Sequence, residues 1–113
     1  MEKIDFNNKT FSLVQNSKNG KVDTSTIFKY KQDGDLVTAH YSGGTIKYGK
    51  IIAHLKDEKL HMLYQCITVD NELKAGKAIA EITFSKVNKI VLSLKWEWLN
   101  ENKESGVSYY IEN

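Results

Sequence analysis

The chain has 113 residues, 41% of them hydrophobic and 27% charged, with sixteen basic against fourteen acidic side chains for a formal net charge of +2. That composition excludes the highly charged, weakly hydrophobic signature of a disordered chain, and the length suits one domain burying about two thirds of the surface its unfolded form exposes. So small and evenly spread a charge demands no nucleic acid, anionic membrane or acidic partner, and the single cysteine, Cys66, leaves no internal disulfide to form.

The opening MEKIDFNNK lacks the apolar core of a signal peptide, and no run approaches the roughly 18 apolar residues of a membrane span. The expected location is therefore cytoplasmic. No proline occurs, so glycine, asparagine and aspartate punctuate the chain, and they do so at short intervals. In chain order, KTFSLVQN ends at SKNG, TIFKYKQD at Gly34-Asp35, LVTAHY at Ser42-Gly43-Gly44, and TIKYGKIIAHL at KDEK. The second half repeats the scheme: LHMLYQCIT ends at VDNE, KAGKAIAEITF at SKVNK, and IVLSLKWEW at LNENKES before the closing GVSYYIE.

Each of these eight segments alternates. Phe28, Tyr30 and Gln32 share one face against Ile27, Lys29 and Lys31, and Val37, Ala39 and Tyr41 oppose Leu36, Thr38 and His40. The seventh segment is the clearest, with Ile90, Leu92, Leu94, Trp96 and Trp98 on one face and Val91, Ser93, Lys95 and Glu97 on the other. A period of two marks half-buried strands, and no window of about 12 residues keeps a helical pattern. Eight sequential antiparallel strands leave two bare edges unless the sheet closes. The expected fold class is thus all-β: an eight-stranded antiparallel up-and-down meander barrel forming a single domain over residues 1–113. A sandwich is the alternative, disfavoured because Greek keys need a long crossing connection.

The stretch HYSGGTIKYG, residues 40–49, has the glycines of a phosphate-cradling loop, but a β-branched, alternating segment follows where such a loop needs a helix N-terminus. Ser42-Gly43-Gly44 therefore reads as a tight hairpin turn, and Gly49 as a bulge or bend that helps the sheet curl closed.

Two features resemble the avidin family: the opening hairpin TFSLVQNSKNGKV, and LSLKWEWLNENKESGVSYYIE, which is similar to the tryptophan-bearing penultimate strand, loop and final strand of avidins. Over nearly the whole chain the pattern resembles a family of short bacterial proteins of avidin-like fold, most specifically through YSGGTIKYG and WEW. Some of those proteins carry the label N-acetylglutamate synthase. An acetyltransferase of the usual kind cradles coenzyme A pyrophosphate on a helix N-terminus, a unit this sequence lacks, so that activity is not carried over. Avidins hold biotin with tryptophans from several strands, whereas Trp96 and Trp98 share one. The resemblance also implies assembly through sheet faces, hence a homo-oligomer.

If the phase of Trp96 and Trp98 is inward, Phe28, Tyr30, Tyr41 and Tyr64 line the same interior, with Gln32, Ser108 and Glu112 as its polar groups. Apolar walls with a few polar anchors suit a small ligand. The alternative is that the rings simply fill the barrel. The expected function is non-catalytic binding of a small, partly apolar ligand, with no cofactor. A small enzyme using Glu112 or Tyr64 as proton carrier is the second reading, and a protein-association module the third. His40, His54 and His61 fall in three segments with no metal-ligand spacing, and Cys66 reads as core. Lys29 and Lys31 point away from Phe28 and Tyr30, which denies nucleic acid a stacking platform.

Overall fold

The computed structural model describes residues 4–16, 24–99 and 104–113. They form β1 (Lys9–Asn16), β2 (Ile27–Asp33), β3 (Leu36–Gly43), β4 (Ile46–Lys56), β5 (Lys59–Thr68), β6 (Leu73–Phe84), β7 (Ile90–Trp98) and β8 (Ser105–Glu112). Each strand pairs antiparallel with the next, and β8 returns to pair with β1, so the sheet is a closed eight-stranded meander. This is the architecture the alternation predicts. Among the described residues there is no helix, and so none long and apolar enough to cross a membrane. The SKNG turn and most of LNENKES lie outside the described residues.

The two-residue period sorts each strand between core and solvent. In β7 the residues Ile90, Leu92, Leu94, Trp96 and Trp98 are all buried, and Phe28, Tyr30, Val37, Ala39 and Tyr41 continue the same inner layer on β2 and β3. Because the strands alternate in direction, the barrel has two ends of different make. One end, where β1 begins and β8 finishes, is plugged by the N-terminal segment. Phe6 is fully buried there against Phe11 and Tyr30, at ring-centroid distances of 5.9 and 5.4 Å. The Asn8 amide donates to the Tyr30 carbonyl at 3.1 Å, fixing the segment across the opening. The other end carries Trp98, Tyr64 and Cys66.

The structure departs from the sequence reading at two places. The hairpin after β3 turns at Gly44-Thr45, because Ser42 and Gly43 stay in the strand and Gly43 pairs with Ile46. Gly43 and Gly44 both take positive φ, +114° and +62°, which explains the glycine pair. Gly49 is not the bulge. It pairs regularly with Tyr41 and Cys66, and the extra residue is Lys47, since Ile46 faces Thr68 while Tyr48 already faces Ile67. What requires glycine at position 49 is the Tyr41 ring, which lies where a β-carbon would stand.

Candidate functional site

The tryptophan end is built from β3, β5, β6, β7 and β8. Trp96 and Trp98 follow one another on the inner face of β7, with ring centroids 5.9 Å apart, and Tyr64 from β5 meets Trp98 edge-on at 5.6 Å. Tyr64 reaches this position by lying across Gly76 of β6, its cross-strand partner, where an added β-carbon would stand 2.5 Å from Tyr64 Cζ. Tyr41 lies across Gly49 in the same manner, stacked on Phe28 at 4.6 Å. Two tyrosine–glycine pairs thus set the rings of this end.

The two indoles differ in their polar tips. Trp96 Nε1 donates to Ser108 Oγ at 2.8 Å inside the barrel. Trp98 is 5% exposed, and its buried Nε1–H has no acceptor among the described residues. An orphaned buried donor costs about 1–3 kcal/mol, so one in a folded chain marks a place where an acceptor is missing. Trp98 also lines a rim groove of about 350 Å³ with Gln65, Glu72, Leu73, Lys74 and Leu99, and the Lys74 ammonium stands 5.0 Å from the centre of its ring. Burial raises the hydroxyl pKa values of Tyr41 and Tyr64 well above the ordinary tyrosine range. It also pushes the Cys66 thiol up, partly opposed by its hydrogen bond with Tyr41. These groups remain neutral, so the interior of this end offers donors and apolar surface rather than charge.

The sequence-predicted residues divide between the two ends. Tyr41, Tyr64, Trp96, Trp98 and Ser108 stand together. Phe28 lies in the middle layer, between Tyr41 and Tyr110. Tyr30 packs in the plug, 5.0 Å from Phe11. Gln32 also belongs to the plug: its Oε1 accepts from the Phe6 amide at 2.8 Å and its Nε2 donates to the Gly34 carbonyl at 2.9 Å. Glu112 accepts the Ile90 amide at 2.9 Å on Oε1 and faces Lys9 Nζ at 3.4 Å on Oε2. Both of its oxygens are thereby engaged in closing the barrel, far along the strands from the tryptophans.

Lys74 and the glycine partners of the tyrosines are neighbours of the candidate site that sequence reasoning passed over. For Lys74 the signal was present, because alternation through Lys74, Gly76, Ala78 and Ala80 sets it on the inner face. For Gly76 only the cross-strand register reveals what fills the missing side chain. The histidines lie on the outer face, and the register sets His54 directly opposite His61, a pairing that their separation in sequence conceals. Among the described residues no group of three or more His, Cys, Asp or Glu could hold a metal ion.

A closed eight-stranded antiparallel meander with an aromatic interior defines the class of small up-and-down barrels. The model of the avidin-like proteins matches residues 4–113. The chain therefore belongs to the avidin-like family. No curated protein and no solved structure matches it.

Proposed function

We propose that the protein binds, without catalysis, a small and partly apolar molecule carrying a carbonyl or carboxylate acceptor, at the tryptophan end of the barrel. The observation that carries this reading is the buried Trp98 Nε1–H, which no atom of the described residues satisfies. An acceptor on the ligand would remove that penalty, the Lys74 ammonium beside the ring favours a negatively polarised one, and Tyr64 and Leu73 supply apolar contact. Family membership supports the same reading, since avidins hold a small molecule within such a barrel. Of the residues that alternation placed inside, Trp98 lines the groove itself, and Tyr64, Trp96, Ser108 and Tyr41 stand behind it as its inner support. Phe28 backs it, and Tyr30, Gln32 and Glu112 close the opposite end.

The test is intrinsic tryptophan fluorescence, with thermal shift in parallel, across a panel of short aliphatic and aromatic carboxylic acids and their amides. The expected result is a saturable change with at least one member, weakened in Lys74→Met, which keeps both indoles. No fluorescence or thermal response to any member would overturn the reading.

A further inference from the structure

The outer face of the barrel carries two side chains that the tryptophan end does not use. In the β4–β5 hairpin, His54 stands directly opposite His61. Both alternate outward into solvent, and both line a shallow groove of about 870 Å³ that runs over β4 to β7. Directly opposed residues of an antiparallel pair hold their β-carbons about 4.5–5.5 Å apart, so the two imidazoles rise side by side from one patch of sheet. Among the described residues no hydrogen bond or ion pair engages either ring. In its neutral form each ring therefore offers a lone pair to whatever arrives from solvent.

The fixed register is what makes the pair a chelate. The hairpin closes through the two-residue turn Asp57-Glu58, whose residues both take positive φ, +53° and +62°, and Lys56 faces Lys59 across it. A turn of that kind matches the twist of the strands and sets their pairing, which runs without a break from there to Tyr48 opposite Ile67. A slip of one residue would send an imidazole to the inner face. With the register held, an ion bound by one ring meets the second at little further cost in freedom. The surrounding charge does not repel a cation. Lys56 and Lys59 form the next outward row toward the turn, but Glu81 stands opposite Lys59 on β6, and Asp57 and Glu58 lie in the turn itself. Along the groove Lys77 is already paired with Glu97 at 3.5 Å, and Asp35 at the β3 side balances Lys95 at the β7 side. The flanking positions in the histidine row are Leu36 and Ile79, which compete neither for the rings nor for an ion.

We infer that His54 and His61 form a two-imidazole site for a divalent transition-metal ion, Cu²⁺ above all, on the outer face of the β4–β5 hairpin. Imidazole nitrogen suits copper, nickel and zinc, and Cu²⁺ stands highest among these in the general order of affinity, whereas Mg²⁺ and Ca²⁺ seek oxygen ligands. Two protein ligands leave the remaining positions of the ion to water. The site thus holds its metal exchangeably and open to a further ligand, unlike the closed four-ligand sites of structural zinc. Because the ion bridges two strands whose register exists only in the folded sheet, it binds the folded chain in preference to the unfolded one and stabilises it.

Titration of the untagged full chain with copper(II) chloride, in a non-coordinating buffer near neutral pH, tests this by electron paramagnetic resonance and thermal unfolding. One Cu²⁺ per chain should bind, show the nitrogen splitting of two imidazoles and raise the unfolding midpoint. His54→Gln and His61→Gln should each weaken binding about tenfold or more and leave the splitting of a single nitrogen, because each removes one arm of the chelate. Circular dichroism confirms the fold of both variants, whose changed side chains are exposed. His40→Gln, on β3 opposite Lys50, should bind within about twofold of the wild type, since its ring has no imidazole across from it. Mg²⁺ and Ca²⁺ in about a hundredfold excess should not displace the copper. Absence of a two-nitrogen signal at one equivalent would overturn the site. Binding that either single variant leaves intact, or that His40→Gln weakens equally, would mean an adventitious ion only and would overturn it as well. Neither histidine lines the rim groove at Trp98, so the outcome is independent of ligand binding there.

Discussion

The two ends of the barrel treat their polar atoms in opposite ways. In the plug, Gln32 uses both halves of its amide and Glu112 both oxygens on the chain itself, and the Phe6 segment lies across the opening. At the tryptophan end one indole N–H is satisfied by Ser108 and the other by no group among the described residues, beside a rim groove lined by a lysine. Satisfied networks rigidify, whereas an unsatisfied donor lowers the cost of accepting a partner. The same sheet thus closes one end with satisfied polar groups and leaves the other, the mouth in the proposed reading, with an unpaired donor among the described residues.

That contrast breaks most visibly at the floor. Phe6→Ala removes a fully buried ring in contact with Phe11 and Tyr30, and should cost about 3–5 kcal/mol in urea unfolding. A loss below about 1 kcal/mol would show that the N-terminal segment does not plug the barrel. At the mouth the corresponding weakness is lack of room. Gly49→Ala and Gly76→Ala drive a β-carbon into the Tyr41 and Tyr64 rings and should each cost about 1–3 kcal/mol. Combining Gly76→Ala with Tyr64→Leu should cost less than the sum of the two single changes, because the clash is shared.

The fold was legible because period-two alternation is a strong signal and proline-free punctuation left little else to consider. Strand order and closure followed from eight segments, short connections and the need to hide two edges. The inner face of β7 was readable from WEW alone. What could not be read was depth along the strand. Alternation assigns Gln32 and Trp98 to the same face but says nothing of which end each occupies, and that depends on strand direction and register. Gly49 shows the same limit: its glycine is explained by a ring from the neighbouring strand, which no local pattern records. The hairpin at Gly44-Thr45 was misplaced because Gly43, at positive φ, still pairs with Ile46.

In one respect the ends should behave alike. Tyr30 in the plug, Tyr41 and Tyr64 at the mouth and Tyr110 on β8, edge-on to Phe28, all have hydroxyl pKa values raised above the ordinary 10.0, chiefly by burial. Above pH 10 the unfolded chain loses these protons while the folded chain keeps them. Stability is therefore complete below about pH 10 and falls as the pH rises past it, by about 1.4 kcal/mol per pH unit for each tyrosine. Tyr30→Phe and Tyr41→Phe should each flatten the alkaline limb of a stability–pH curve by that one-tyrosine increment. A flattening by one and not the other would mean that one end admits water to its hydroxyl.

The smallest effect discriminates most sharply between the two indoles. Trp96→Phe and Trp98→Phe delete the same atoms from adjacent inward positions of one strand, so their loss of buried surface is similar. Trp96→Phe also removes the hydrogen bond to Ser108 and should cost about 1–2 kcal/mol more than the packing change. Trp98→Phe removes a donor that has no partner among the described residues, so relief of that penalty offsets the lost surface, and the net change should stay within about 1 kcal/mol. Urea unfolding followed by far-ultraviolet circular dichroism measures both on one scale. Equal losses would mean that Trp98 Nε1 is satisfied in solution, removing the observation on which the ligand site rests. A mild Trp98→Phe that also abolishes the carboxylate-induced thermal shift would tie the unsatisfied donor directly to binding.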